Sequence, residues 1–539
     1  EIYTCLHRLT GLSETFVEEM RKTEEMTEEA SVEPRWEVVR LFREALNLGK
    51  PVVLATDMFL PRTTIERLLR KFGIEGWTDL FVSGEIGLRK DSGALYEYIL
   101  SKYGLKPHQM LVVGDDERSD TQIPCDMGAS FLHILKPVDL ARGCPRFSNL
   151  IASHERSDDL DAQITLGLVV RKNFSPITYP DFDPASLVQV TPYNWGYSLV
   201  GPLLASFVQW LLEKVREDGI DRLYFLAREG RLMKEVYDYW VQGIPEAPRS
   251  EYLVISRRAA GVAAIFRFED IVEIAQTIYF PNTLENFLHT RYGLTLSEKR
   301  WQEVERATGW SRDSVVKVQN RKVEHLIPIL QLLQPEIMAR AEQERSALLE
   351  YVKGKGLALD SRQAVVDVGY GGSVQGYLNR LLPQKLHGYY LMTDERSVRV
   401  AQTHGVILRG CFCENIVMQS PNAPAMARYS FDVEKLLSVT EPQLECYEIK
   451  QGKIKACYRD LSPAEMEPTH IREEIWKGVL DYIEDARRVR ETLFPSFRPS
   501  CWTAQMLLEA FLTERSSREL ELLSKIALDD HYCGRGLVA

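Results

Sequence analysis

Five residues in the first quarter of the chain carry side chains that could handle a phosphoryl group. They are one hydroxyl, one ammonium and three carboxylates: Thr56, Lys90, Asp115, Asp116 and Asp120. The hydroxyl and the ammonium can hold phosphate oxygens while negative charge develops on them. The carboxylates suit Mg²⁺, which prefers a few carboxylates together with water and phosphate oxygens. We therefore predict Thr56 and Lys90 as catalytic residues, the three aspartates as ligands of Mg²⁺, and a phosphorylated small molecule as the substrate.

The elements that must position these residues follow from the hydrophobic pattern. Short apolar runs predict four strands, at 52–55, 80–83, 110–113 and 131–134. Segments of helical periodicity separate them, which predicts right-handed crossovers and a parallel sheet. Ligands of such sheets lie beyond the carboxyl ends of the strands. We therefore expect the hydroxyl, the lysine and the acidic loop to meet at one edge of the sheet.

This stretch resembles the haloacid dehalogenase-like (HAD) hydrolases. Thr56 matches the family's second motif, a serine or threonine after the second core strand, and Lys90 matches the third-motif lysine. Gly114 and Asp115, followed by Asp120, match the fourth motif, an acidic GDxxxxD loop. The resemblance implies a Rossmannoid domain, phosphohydrolase activity and Mg²⁺ as the cofactor.

The resemblance covers about residues 1–137, and residues 1–49 are interpreted as the remnant of a helical cap. The family's first motif, which holds the nucleophilic aspartate at the end of the first core strand, has no counterpart before Thr56. Asp57 follows the hydroxyl residue and does not replace that aspartate by position. Because the chain also begins at Glu1 without an initiator Met, we expect a truncated domain that lacks its first core strand. Such a domain should not form an aspartyl-phosphate; a HAD domain kept only as a scaffold is the alternative.

A second group of residues follows predicted strands farther along the chain. Arginines end the strands at 222–227 and 252–256, and an aspartate with a glycine-rich turn ends the strand at 364–368. Arginine can bind phosphate through two hydrogen bonds, and glycines let backbone N–H groups approach an anion at a helix start. We predict a phosphate-containing ligand, a sugar phosphate or a nucleotide-sugar, at Arg228, Arg257, Arg258, Asp367, Gly371, Gly372 and Ser373. In the alternative interpretation the glycines only close tight turns, and the arginines pair with surface acids.

The order of four sequence blocks in this second region is also informative. FLAREG, ISRRA, VVDVGYGGSVQ and GYYL occur in an order that resembles large bacterial proteins joining a HAD domain to a second α/β domain. Proteins of that kind are often associated with surface-polysaccharide synthesis, which implies a phosphorylated sugar as the substrate. Two alternatives stay open: a glycosyl- or phosphoribosyl-transferase-like second domain, and a non-catalytic assembly module.

The predicted fold class is α/β, with a truncated HAD-like domain at 1–137 and a second Rossmann-like domain at 191–450. Prolines punctuate residues 138–190, which we predict to be a linker with little structure. About residues 266–358 are predicted to be a mostly helical insertion, of the kind that usually forms a lid over strand ends. Residues 451–539 are predicted to be a helical C-terminal region.

Composition limits the class of protein further. The 539 residues include 66 Lys+Arg and 77 Asp+Glu, so the formal net charge is −11, and 45% of the residues are hydrophobic. These values are typical of globular chains, and the acid excess argues against nucleic acid or an anionic membrane as a partner. The most apolar run, 196–212, contains Pro202 and Gln209, which favours a buried helix over a membrane span. Nine scattered cysteines without a CxxC pair favour a reducing cytoplasm.

Overall fold

The chain forms two compact units, each built from several segments. The computed structural model describes residues 2–174, 183–357, 361–418 and 420–538. The first unit comprises residues 1–152, 170–182 and 487–497, and the second comprises residues 153–169, 183–486 and 498–539. Parallel strands separated by helices occur in both units, which confirms the predicted α/β class.

The first unit contains four short strands, each within one residue of its predicted position. They are β1 (Val53–Thr56), β2 (Asp79–Val82), β3 (Leu111–Gly114) and β4 (Ser130–His133). Its helices are α1 (Ile2–Thr10), α2 (Glu14–Ser31), α3 (Trp36–Asn47), α4 (Arg62–Lys71), α5 (Ser83–Ile86), α6 (Ala94–Tyr103), α7 (Ile123–Met127) and α8 (Pro137–Gly143). Two further helices, α9 (Pro145–Glu155) and α10 (Leu160–Asn173), contribute residues to both units.

The four strands of the first unit form two separate parallel pairs. β1 pairs with β2, with Val53 opposite Asp79, and β3 pairs with β4, with Leu111 opposite Ser130. Within the described residues no ladder joins β1 to β3, so each of them has an edge without a strand partner. Leu111 and Val113 of β3 are 62% and 42% exposed although both are apolar. Among the described residues β2 and β4 likewise have one partner each, and proteins normally pair or cover such open strand edges.

Charge pairs hold the helices before β1 against α4. The Ser13 side chain accepts a hydrogen bond from the first turn of α2 and caps that helix. On α2, Arg21 pairs with Glu18 and Glu25, at the spacings that bring side chains together on a helix. Arg67 of α4 also pairs with Glu25. The acidic residues of α2 therefore make contacts within the first unit.

The predicted linker at 138–190 is helical over much of its length, which corrects that prediction. α8, α9 and α10 occupy it. Its prolines suggested irregular structure, but Pro137 and Pro145 are the first residues of α8 and α9. Proline is favoured at that position because its missing N–H would have no helical partner. Pro176 and Pro180 lie outside the described residues.

The second unit is organised around a parallel sheet. The strands of this unit are β5 (Arg222–Leu226), β6 (Arg249–Leu253), β7 (Tyr279–Thr283), β8 (Val315–Val318), β9 (Gln363–Asp367), β10 (His387–Asp394), β11 (Leu408–Ile416), β12 (Leu444–Lys450), β13 (Lys453–Tyr458), β14 (Leu528–Asp530) and β15 (Gly536–Val538). Five of them form one sheet in the order β11-β10-β9-β5-β6. From β5 the chain proceeds to β6 on one side and then to β9 on the other, so the direction of winding reverses between β5 and β9. Open α/β sheets bind ligands at such a switch point.

The centre of this sheet is the core of the second unit. Leu223, Phe225, Val365 and Val366 are fully buried, as expected for parallel strands covered on both faces. The helices are α11 (Pro192–Trp195), α12 (Gly201–Glu217), α13 (Gly230–Trp240), α14 (Arg257–Ala263), α15 (Phe268–Ala275), α16 (Leu284–Tyr292), α17 (Glu298–Thr308), α18 (Ile327–Leu332), α19 (Gln334–Gly354), α20 (Ser373–Leu381), α21 (Glu395–His404), α22 (Ala425–Arg428), α23 (Ser430–Leu437), α24 (Pro463–Met466), α25 (Thr469–Thr492), α26 (Cys501–Thr513) and α27 (Ser517–Ser524). The predicted apolar run lies largely in α12, most of which is buried. Across the described parts of the chain, no helix combines the length and apolarity that crossing a bilayer requires.

Two regions predicted to be helical also contain strands. The insertion at 266–358 includes the antiparallel pair β7–β8 in addition to its helices. The C-terminal region at 451–539 includes β13 and the hairpin β14–β15. The hairpin strands are only three residues long, too short to show a periodic pattern. Gly534, in the turn between them, and Gly536, the first residue of β15, have positive φ angles.

Candidate active site

A buried ion pair lies at the carboxyl edge of the strands in the first unit. Lys90 Nζ lies 2.7 Å from Asp120 Oδ1, and the two side chains are only 14% and 6% exposed. The Tyr96 hydroxyl donates to the same oxygen at 3.1 Å, and the Asp116 N–H donates to Oδ2 at 3.2 Å. Burial and the neighbouring carboxylate of Asp120 raise the pKa of Tyr96, so its hydroxyl stays protonated as a donor. Both oxygens of Asp120 are thus occupied, and this residue fixes the position of the lysine.

The glycine that ends β3 is required by this carboxylate. A Cβ atom at Gly114 would collide with the Asp120 side chain. The glycine therefore lets the strand end close against Asp120, six residues later in the same loop, as the spacing of the GDxxxxD motif demands.

The other two aspartates of the loop are exposed. Asp116 Oδ1 accepts hydrogen bonds from the N–H groups of Ser119 and Arg118 at 2.6 and 3.1 Å, and so caps the helical turn Glu117–Gln122. Hydrogen bonds from the Ser119 backbone and hydroxyl lower the pKa of Asp116 and keep it ionised. Among the described residues the cation paired with Asp115 is Lys136, whose Nζ lies 3.9 Å from Asp115 Oδ2. The Asp115 side chain is 54% exposed.

The three predicted metal ligands differ in their fit to Mg²⁺. Within the described residues, the oxygens of Asp115, Asp116 and Asp120 do not converge on one point. Asp120 is committed to the lysine, whereas Asp115 and Asp116 are exposed on the surface of the loop. Because Mg²⁺ often takes one or two carboxylates and completes its shell with water and phosphate, this exposed pair fits the ion. The assignment of all three aspartates as ligands stays a prediction.

Asp57 connects the end of β1 to the lysine. Thr56 is the last residue of β1 and lies opposite Val82 of β2. The next residue, Asp57, accepts the backbone N–H of Lys90 on both carboxylate oxygens, at 3.1 and 3.2 Å. The structure therefore brings the segment carrying Thr56 to Lys90. Asp57, which sequence reasoning considered only as a substitute nucleophile, positions the lysine loop.

Comparison with known families agrees with this geometry. Residues 5–123 match the family described as "Hydrolase: haloacid dehalogenase-like hydrolase". The first unit carries a HAD-like domain. The match spans both catalytic candidates and all three aspartates of the acidic loop. No curated protein matches the chain.

The second unit has a site of its own at the switch point of its sheet. A cavity of about 540 Å³ is lined by residues that follow β5, β6 and β9. Of the predicted ligand-binding residues, the structure brings together Arg228, Arg257 and Asp367 in this cavity. The volume falls in the range of pockets that hold small molecules.

Arg258 lies outside the cavity lining and has a structural role. Its guanidinium donates to both carboxylate oxygens of Glu344, at 2.7 and 2.8 Å, and to the carbonyl of Glu445. Arg340 donates to the same carboxylate at 2.6 Å. The buried group ties α14 to α19 and offers no free donor pair for a ligand.

The glycines of the turn after β9 serve packing. A Cβ atom at Gly371 would lie 2.9 Å from Arg396 Nε, and one at Gly372 would lie 2.5 Å from Leu408 Cδ2. Gly372 also has a φ of +68°, which side chains rarely adopt. Neither glycine nor Ser373 lines the cavity. These contacts favour the alternative interpretation, in which the glycines only close a tight turn. A ligand-binding role for Gly371, Gly372 and Ser373 stays a prediction.

Several residues that line the cavity were not predicted from the sequence. Glu434, Asp529, Asp530 and Tyr532 line the cavity together with Glu229. The signal for the C-terminal residues was the dense polar run Asp-Asp-His-Tyr-Cys near the end of the chain. Nothing in the sequence pointed to Glu434, because it belongs to a short helix that is far from the predicted strand ends along the chain.

The prediction that the insertion at 266–358 forms a lid over the strand ends is wrong for this cavity. None of the residues that line the cavity belongs to that insertion. The walls come instead from α23, from the segment at 441–444 and from β14 with the turn after it. The insertion, which includes α19, buries its apolar residues in a core that it shares with α14.

Ion pairs neutralise much of the charge in the cavity. Arg228 Nη1 lies 3.6 Å from Asp529 Oδ2, which Arg459 also contacts at 3.0 Å. Although burial opposes ionisation, a hydrogen bond from His531 and the charge of Arg228 lower the pKa of Asp529. Arg231 pairs with a further lining acid, Glu441. These pairs leave a smaller set of groups available to a ligand.

Proposed function

We propose that the HAD-like domain belongs to a Mg²⁺-dependent phosphohydrolase of the cytoplasm that acts on a phosphorylated sugar or a related metabolite, in the synthesis of a polysaccharide. The Lys90–Asp120 ion pair beside the end of β1 is the observation that carries this proposal. It supports a phosphoryl site because a fixed ammonium can hold a phosphate oxygen without first reorganising.

In this mechanism Lys90 and Thr56 bind the oxygens of the phosphoryl group. Asp120 and Asp57 hold the side chain and the backbone of the lysine in place. Mg²⁺, held by Asp115 and Asp116, would neutralise charge on the phosphate. The attacking aspartate would end a strand that pairs with the open edges of β1 and β3. Without such an aspartate the domain would bind phosphate but would not form a covalent intermediate.

Phosphatase assays of the complete natural gene product, with and without Mg²⁺, test the proposal. We expect Lys90→Ala to lower kcat/KM on the best substrate of a phosphoester panel by about 10² to 10³, as for loss of one charge-stabilising donor. Lys102→Ala is the matched control, since that exposed lysine of α6 pairs with Asp79 away from the loop. Equal activity of the two variants, or no hydrolysis of any ester by a product that contains the first-motif aspartate, would contradict the proposal.

A further inference from the structure

The cavity of the second unit contains an arginine without an acidic partner. Arg257 follows β6 in the chain. Its side chain is exposed and lines the cavity. Among the described residues no carboxylate oxygen lies within 4 Å of its guanidinium nitrogens, and its Cζ lies 5.6 Å from the centre of the Tyr532 ring. The other two lining arginines are paired with Asp529 and Glu441. Arg257 is therefore the guanidinium available to an anionic ligand.

A second arginine, Arg291, also contacts the Tyr532 ring. The Arg291 side chain is completely buried, and its guanidinium lies 3.9 Å from the centre of the Tyr532 ring. It donates to the carbonyl of Ile278 at 2.7 Å, and it has no ion pair among the described residues. The buried hydroxyl of Tyr532 also lacks a hydrogen-bond partner there. Two guanidinium groups against one ring make this wall of the cavity electropositive, which favours an anion.

Two acidic side chains line the cavity elsewhere: Asp367 at the end of β9 and Glu434 within α23. Asp367 accepts the N–H of Val368 at 2.9 Å, and Glu434 accepts the Tyr370 hydroxyl at 2.7 Å. Burial and the nearby charge of Glu229 raise the pKa of Asp367 to about 8 and that of Glu434 to about 7. Near neutral pH these carboxyls carry protons for much of the time. They can then donate to and accept from hydroxyl groups with little repulsion of an anion.

A metal ion is a poorer occupant of this cavity. Within the described residues, potential ligand atoms converge only at Cys446, Glu448 and Cys457, which lie on the β12–β13 hairpin and do not line the cavity. A carboxyl that keeps its proton near neutral pH is also a weak metal ligand. The combination of one free guanidinium and hydrogen-bonding carboxyls fits an anion that carries hydroxyl groups.

We propose that this cavity binds a sugar phosphate, with the phosphate on Arg257 and the sugar hydroxyls on Asp367 and Glu434. The ligand is a free sugar phosphate or the sugar–phosphate part of a nucleotide-sugar. This site is separate from the phosphoryl site of the HAD-like domain and does not rest on the function proposed for it.

Calorimetric titration of the full chain tests the proposal, with glucose 1-phosphate, UDP-glucose, inorganic phosphate and glucose as probes. We expect saturable binding of a phosphorylated probe, weakened at least tenfold by Arg257→Ala and partly restored by Arg257→Lys. Asp367→Asn should weaken binding of the sugar phosphate more than that of inorganic phosphate. Preference for UDP-glucose over glucose 1-phosphate identifies the nucleotide-sugar as the source.

Two controls separate the cavity from other anion sites. Arg306→Ala removes an exposed arginine of α17 that lies outside the cavity and should leave the affinity unchanged. Lys90→Ala disables the phosphoryl site of the first unit, so binding of a phosphorylated probe that persists in this variant is assigned to the cavity. Binding that is lost in Lys90→Ala but kept in a folded Arg257→Ala variant would overturn the proposal. So would the absence of binding of every phosphorylated probe at millimolar concentration.

Discussion

Asp367 is a single carboxyl group whose environment makes a prediction about stability. Its folded-state pKa of about 8 exceeds the ordinary value of 3.8, mainly because of burial and then because of Glu229. Glu434 also faces it with a negative charge, and Arg257 with an opposing positive charge. A group whose pKa is raised on folding stabilises the folded state fully below its unfolded pKa. That stabilisation is lost as the pH rises towards 8.

Asp367→Asn should therefore become more stable than the natural protein as the pH rises. Thermal unfolding should show little advantage for the variant at about pH 4, and an advantage on the order of 5 kcal/mol at about pH 8.5, because the amide never acquires a buried charge. Asp460→Asn, at an exposed position, is the matched control. An advantage that is the same at both pH values would contradict the raised pKa.

At the scale of elements, the buried charges between α14 and α19 explain why Arg258 is not a ligand residue. Arg258 and Arg340 share the carboxylate of Glu344, whose side chain is 3% exposed. Removing one partner of a buried ion pair costs about 3–5 kcal/mol when it leaves a charge uncompensated. Arg258→Met leaves Glu344 paired with Arg340, whereas Glu344→Leu leaves two arginines without their shared acid.

We expect Glu344→Leu to lower the unfolding temperature more than Arg258→Met does. Differential scanning calorimetry of both variants measures this order. Titration of the folded Arg258→Met protein with glucose 1-phosphate should give the natural affinity. If Arg258→Met lost much of its affinity for glucose 1-phosphate without losing stability, Arg258 would have to be a ligand-binding residue after all.

The central strands β5, β9 and β10 of the second unit could be predicted from the sequence because their apolar runs are consequences of burial on both faces of a parallel sheet. The positions of Arg228, Arg257 and Asp367 in one cavity followed, since parallel strand ends share an edge. The acids of the C-terminal turn could not be placed that way. Their position depends on tertiary packing of a hairpin too short to show periodicity. The difference between Arg257 and Arg258 is likewise invisible in sequence, because it depends on which arginine reaches Glu344.

At the scale of the whole molecule, the two units differ in how completely their sheets are paired. In the second unit β5 and β9 each have strand partners on both sides, and their central residues are fully buried. In the first unit β1 and β3 each have one partner among the described residues. Amide exchange requires opening of the hydrogen bond, so exchange rates report this difference directly.

Hydrogen exchange followed by mass spectrometry should therefore show slow exchange in peptides that contain β5 and β9, and faster exchange in those that contain β1 and β3. We expect the contrast to span orders of magnitude, because strands in a buried core exchange only through large openings. β2 and β4, which also have one partner each, are the internal controls, because a strand between β1 and β3 would not pair with them. Equal protection of β3 and β9 would mean that another strand already covers the open edge. If the natural gene product contains a strand between β1 and β3, the same experiment on that product should show slower exchange of β1 and β3 together.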